Sequence, residues 1–223
     1  MMKMNAAKPL WYAFRQAFIE AWAGGSGLLL PFGFFAGTAM LVPFSLGSQP
    51  EVLARIGPGV LWLALALASM VTLERVFQAD LQDGALELWA QEPGSLSLIG
   101  LLKTLAHWLI SGLSLVLLTP LFGIMLQVPV ADTGPAMVAY ALGGLTFFLW
   151  GGVAAALAAS VARGGLLIAV LALPLYLPTL IFGTLTLQEG LGGNSILFLA
   201  ASTLFALGVA PPAMGAALRL ATD

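Results

Sequence analysis

The stretches "VLWLALALASMV" at residues 60–71 and "LLIAVLALPLYL" at residues 166–177 decide the fold. Both run continuously apolar. Neither shows the alternation that a membrane barrel strand keeps up over roughly ten residues. A backbone in lipid has no water to bond, so it must satisfy its own N–H and C=O groups, and such stretches span as helices. Six runs of the chain carry no charged side chain: 21–50, 56–73, 104–131, 133–162, 164–188 and 190–218. They are 30, 18, 28, 30, 25 and 29 residues long, where a helix needs about 20 to cross the hydrocarbon core. Of the 223 residues, 60% are hydrophobic and 8% charged, against about 25% charged in a soluble domain. The expectation is an all-α membrane protein without a soluble domain. Its six transmembrane helices are placed at about 23–43, 58–74, 98–119, 135–161, 166–187 and 195–218.

The bases orient this arrangement. Lys3, Lys8, Arg15, Arg75, Lys103, Arg163 and Arg219 fall on one side and Arg55 on the other. Cytoplasmic loops collect Lys and Arg, while acids contribute little to the rule. Both termini and residues 73–103 are therefore expected in the cytoplasm. Ahead of the first span, residues 9–22 place Trp11, Phe14, Phe18 and Trp22 at helical spacing, with Arg15, Gln16 and Glu20 on other faces. This fits an interfacial amphipathic helix or a cytoplasmic extension of the first span. No cleavable signal peptide is expected, because the first apolar run is too long for one.

Other signals are weaker. Gly33 and Gly37 have the spacing that lets two membrane helices approach, which is also ordinary packing in a chain with 26 glycines. Pro174 and Pro178 mark a hinge or a static kink in span five. The third span is expected to stop near Pro120, and residues 44–57 to form an outside loop holding Glu51 and Arg55. Cysteine is absent, which removes disulfides, thiolate ligands and thiol nucleophiles.

Five of the ten acids crowd into residues 73–93, "LERVFQADLQDGALELWAQEP". Read as a helix over 77–92, Phe77, Leu81, Ala85 and Leu88 make an apolar stripe. Asp80, Asp83 and Glu87 make an acidic stripe beside it. Gly84 costs such a helix about 1 kcal/mol relative to Ala, and Pro93-Gly94 ends it. Solvated carboxylates on a loop lack the pocket that acid–base chemistry needs, and they lack the loop geometry of a Mg or Ca site. Docking of the segment against a basic-rimmed groove and a solvated connector without a partner both remain open.

"LERVFQADLQDGALELW", followed by "LLKTLAHWLISGLSLVLLTPL" and "RGGLLIAVLALPLYLPTLIF", resembles the heme exporter protein B (CcmB) family of permease subunits in cytochrome c maturation transporters. The resemblance covers nearly the whole chain, and "FQADLQDGALE" with "KTLAHW" is its most specific part. It implies an ABC-2 type permease in the bacterial inner membrane, served by a separate ATPase subunit, CcmA. CcmC and CcmD are the implied membrane partners, the haem chaperone CcmE is the client, and a second permease copy is a further possible partner. Residues 77–92 then correspond to a coupling helix seated in a groove of the ATPase. Asp80, Asp83, Gly84 and Glu87 match the family's acidic segment, and Phe77, Leu81 and Leu88 join them as expected ATPase contacts. Lys103, His107 and Trp108 match its motif at the start of span three. The stretch "WAQEPGSLS" departs from the Leu- and Pro-rich run that usually follows the acids.

The chain has no G-x-x-x-x-G-K-[ST] and cannot cradle ATP alone. No catalytic residue, bound cofactor, metal site or nucleic-acid partner is expected, with haem as possible cargo and ATP acting through the partner. His107 is the one histidine; it is an anchor or packing residue, or a haem ligand. The tryptophan-rich haem-handling motif of CcmC is absent. "GGSG" at 24–27 fits a short string of intramembrane serine proteases, which would pair Ser26 with His107. Polar groups in the spans are few, mainly Ser69, Thr72, Ser111, Ser114, Thr146 and Ser160. That favours lateral passage of an apolar ligand or mechanical coupling over a wide aqueous channel.

Overall fold

Uncharged runs of this length leave the chain one way to bond its backbone, and the computed structural model is helical throughout its spans. It describes residues 14–19, 22, 28–47, 49–74, 76–91, 95–128, 133–161 and 164–222. The labels used below are α1 (Leu29–Leu46), α2 (Pro50–Leu73), α3 (Gln78–Gln82), α4 (Ala85–Ala90), α5 (Ser95–Met125), α6 (Thr133–Ala158), α7 (Gly164–Glu189) and α8 (Ser195–Thr222). Among the described residues no strand occurs, and six helices are long and apolar enough to cross a membrane. The chain is a multi-pass membrane protein. Successive long helices alternate direction, so α3 and α4 lie at the end of the bundle where α2 finishes and α5 begins.

Helix α6 is the centre of the bundle. It packs against α2, α5, α7 and α8, and 72% of its span is buried, against 17% for α1 and 22% for α7 and α8. Lipid tails are as apolar as leucine, so burial alone does not drive these helices together; close packing over small residues does. Trp62 of α2 shows how. Its ring is fully buried between Gly143 of α6 and Gly183 of α7. A Cβ at Gly183 would stand 2.5 Å from the indole. Tyr140 lies tilted against the same ring at 4.8 Å, and Phe147 meets it edge-on at 5.9 Å. About two turns before Gly183 on α7, Tyr176 donates to the Phe147 carbonyl at 2.8 Å and meets Ser69 at 3.1 Å. Thr146 and Thr203 join α6 to α8 at 2.8 Å.

Several boundaries differ from the sequence expectations. Pro50 sits at the first turn of α2, where its missing N–H costs nothing. With α1 ending at Leu46 and α2 beginning at Pro50, Glu51 and Arg55 ride on α2 rather than in a loop. Pro120 lies inside α5, which continues to Met125. There the Val128 N–H bonds to the Gly123 carbonyl at 2.8 Å and closes the end. Within α5, residues Trp108–Gly112 form a π-helical turn. Helix α7 runs through Pro174 and Pro178. Of the expected interfacial segment, residues 14–19 are helical, Phe14 and Phe18 lie tilted with ring centres 6.3 Å apart, Ala17 is buried, and Phe18 and Trp22 are exposed. Trp11 and Glu20, like Arg75, Asp132, Arg163 and Pro93-Gly94, lie outside the described residues.

Candidate functional site

The connector between α2 and α5 is built differently from the single helix its stripes suggest. Helix α3 ends at Gln82, Asp83 donates to the Ala79 carbonyl at 2.9 Å, and Gly84 adopts φ 74° and ψ 12°. That is left-handed backbone, which glycine enters without a Cβ penalty and which ends helices. Helix α4 restarts at Ala85. Gly84 therefore stands between two short helices, and the cost assigned to it inside one long helix disappears.

The break resets the faces. Phe77 and Asp80 point inward at 1% and 2% exposure, and Leu86, which belongs to neither expected stripe, is fully buried. Leu88, expected on the apolar stripe, is 68% exposed. Leu81 is half-buried and packs on the core, while Asp83 and Glu87 are exposed. Asp80 thus leaves the expected acidic edge, and Phe77 and Asp80 are interior residues rather than an outward contact surface. The outward face carries Ala79, Gln82, Asp83, Glu87, Leu88 and Gln91.

Asp80 turns inward because Lys103 waits there. Lys103 lies eight residues into α5 with no exposed surface, and its ammonium forms an ion pair with the Asp80 carboxylate. Nζ also reaches the Val76 carbonyl at 3.4 Å and lies 6.0 Å from the centre of the Trp89 ring. One side chain of α5 therefore holds the turn after α2, helix α3 and helix α4. A buried charge is tolerated only when paired and hydrogen-bonded, and these contacts meet that condition. The next turn of α5 adds His107, which is buried with Nδ1 2.9 Å from the Lys103 carbonyl. Its ring is engaged in this packing, which bears on the haem-ligand alternative. Ser95, at the start of α5, bonds to the Trp89 carbonyl and fixes the exit from α4.

A notch of about 300 Å³ separates α3 from the end of α6, lined by Gln78, Leu81 and Gln82 facing Ala159, Ser160 and Val161. Among the described residues no group of three or more His, Cys, Asp or Glu could hold a metal ion. Ser69, Thr72, Ser114 and Thr146 bond within the bundle. Ser26 lies outside the described residues.

Sequence reasoning found the connector and missed the pairing. The available signal was Lys103 itself, a base beside a long uncharged run, which calls for an anion nearby.

Six spanning helices with one folded connector at the end where α2 gives way to α5 define a polytopic α-helical membrane protein of the permease type. The chain belongs to the CcmB family, whose family model, described as CcmB protein, matches residues 12–221. It is 42% identical over 194 residues to heme exporter protein B of Pseudomonas aeruginosa, which covers 85% of this chain and 87% of that protein. Identity to heme exporter protein B of Paracoccus denitrificans is 42% over 205 residues, 88% of this chain and 91% of that one. For the Escherichia coli protein of the same name it is 35% over 174 residues, covering 78% and 79%.

Proposed function

We propose that this chain is the permease subunit of an ABC transporter for cytochrome c maturation, in the bacterial inner membrane with both termini cytoplasmic. It couples ATP hydrolysis in a separate subunit, CcmA, to export of haem or to release of the haem-loaded chaperone CcmE. CcmC, CcmD and a second copy of the permease complete the membrane part. The relatives' shared name, heme exporter protein B, supports the cargo. The observation that carries the coupling role is the outward face of α3 and α4. An apolar Leu88 is exposed there along with the acids Asp83 and Glu87, on a connector tied to α5 by an ion pair. Such a face fits a groove with an apolar floor and a basic rim. Asp83, Glu87 and Leu88 touch the ATPase, and Gly84 permits the turn that presents them. Leu81 borders the contact, while Phe77 and Asp80 support it from within.

The test is reversal of Asp83 and Glu87 to Lys, leaving the inward Asp80 intact. The ATPase subunit is expected to be lost from the purified complex while the permease still accumulates in the membrane. An ATPase that still co-purifies with coupled turnover would overturn the docking assignment.

A further inference from the structure

We infer that Lys103 is the positioning residue through which the connector moves the membrane bundle, and that it belongs to a block that swings about two hinges at similar depth. This rests on the docking reading above. The block consists of α3 and α4, the first part of α5 (residues 95–107) and the last part of α8 (residues 213–222).

Its parts are locked to one another. Lys103 ties α5 to Val76, Asp80 and Trp89. Helix α8 packs on α5 with almost no intervening volume. A Cβ at Gly215 would collide with Ser97, and one at Gly100 would stand 3.1 Å from the Met214 side chain. Thr104 lies 3.4 Å from the Met214 sulfur, and α4 also touches α8.

Each long helix of the block has a weak point above these contacts. In α5 it is the π-turn Trp108–Gly112, where the ladder is widened; such turns are recurrent sites of helix kinking. In α8 it is Pro211-Pro212, whose nitrogens cannot donate and so leave the Leu207 and Gly208 carbonyls without their helical partners. Counting about 1.5 Å per residue from the Thr104–Met214 contact, the π-turn begins about 6 Å along α5 and the freed carbonyls lie about 10 Å along α8.

The surroundings permit motion. The block rests on α6 at Gly152, which presents no side chain to Thr104 and Met214. A crevice of about 230 Å³ flanks the π-turn, between Leu28–Phe32 of α1 and Ser111–Leu118 of α5. The notch between α3 and the end of α6 lies at the block's border. An apolar seam between connector and α5 would allow sliding. A buried ion pair resists it, because sliding separates charges in a dry site, so α5 follows the connector.

The chain has no cysteine, which makes site-specific labelling direct. Leu98, Leu166 and Leu220 are exposed and are replaced by Cys in pairs for spin labelling. Distances are read in the complete transporter, nucleotide-free and trapped with ATP and vanadate. The pair Leu98–Leu220, within the block, is expected to keep its distance. The pair Leu166–Leu220, from block to α7, is expected to shift. Asp80→Leu with Lys103→Met is expected to abolish that shift and to lower cytochrome c maturation at least tenfold, with the ATPase subunit still co-purifying. A changed Leu98–Leu220 distance, a static Leu166–Leu220 distance during turnover, or full maturation in the apolar double variant each overturns the inference. So does loss of the ATPase from that variant, since the pair would then only shape the docking face. If the double variant does not accumulate, the two distances in the otherwise native chain decide alone. ATPase co-purification with that labelled chain reports separately on docking.

Discussion

The middle of α2 and the turn that follows it are held by opposite means. Around Trp62 the contacts are made by shape: an indole wedged against two glycines and flanked by Tyr140 and Phe147. Around Val76 they are made by charge, through Lys103 and Asp80. Shape contacts in lipid are non-directional and tolerate exchange of one apolar group for another of like volume. A buried ion pair is directional and fails if either member is lost. The contrast separates a part of the bundle held by packing from a part held by a directional pair.

The largest effect is expected from breaking the charged contact. Lys103→Met removes the ammonium from a buried ion pair, and breaking such a pair by deleting one member costs about 3–5 kcal/mol. Thermal unfolding in detergent, with co-purified ATPase as a second reading, checks it. Adding Asp80→Leu is expected to restore most of the lost stability, because replacing both charges with apolar groups is often neutral. If the double variant is as unstable as the single one, the pair is not what holds the connector.

Breaking the shaped contact comes next. Gly183→Leu places side-chain atoms where the Trp62 ring already lies, and over-packing of this kind costs about 1–3 kcal/mol. Unfolding followed by tryptophan fluorescence measures it, and a Trp62→Leu partner change is expected to recover part of the loss. Tyr176→Phe should be milder. It removes a donor from the Phe147 carbonyl, but Ser69 keeps its 2.7 Å bond to the Ala66 carbonyl. Interhelical hydrogen bonds in membranes average about 0.6 kcal/mol and reach about 1.7. A loss above that range would mean that Tyr176 organises more than this one contact.

The bundle and the connector also differ in how far the sequence reveals them. The spans are legible because charge is excluded from lipid; the gaps between charged residues outline α6 and α7 to within about four residues and the starts of α1, α2 and α5 less closely. Helix starts are less so. Pro50 looks like a loop residue unless the missing N–H is placed at a first turn. The connector is legible in position but not in phase, since stripes counted over 77–92 assume one continuous helix. Gly84 breaks that assumption with a left-handed residue, and everything after it turns to a new face, which buries Leu86 and exposes Leu88. Lys103 counts as one more cytoplasmic base until the fold brings Asp80 to it across 23 residues. The π-turn leaves no period of its own, whereas Pro211-Pro212 is plain in the sequence and acquires meaning only beside the π-turn of a neighbouring helix.

The smallest stability effect sharpens the contrast most. Asp83→Asn with Glu87→Gln alters two exposed acids of the connector and touches neither Lys103 nor the Trp62 wedge. Substitutions at such surface positions usually change stability by less than about 0.5 kcal/mol. Thermal unfolding of the isolated permease should therefore be unchanged, while affinity for the ATPase subunit falls and its salt dependence weakens, because rim charges act through screened attraction. A stability loss like that of Lys103→Met would place these acids inside the fold's own bonding. Unaltered affinity at low salt would leave Leu88 and its apolar surroundings as the contact. Only the combination of unchanged stability and salt-sensitive weakening separates the inward acid, which is paired with Lys103, from the outward pair, which the proposed docking assigns to the ATPase.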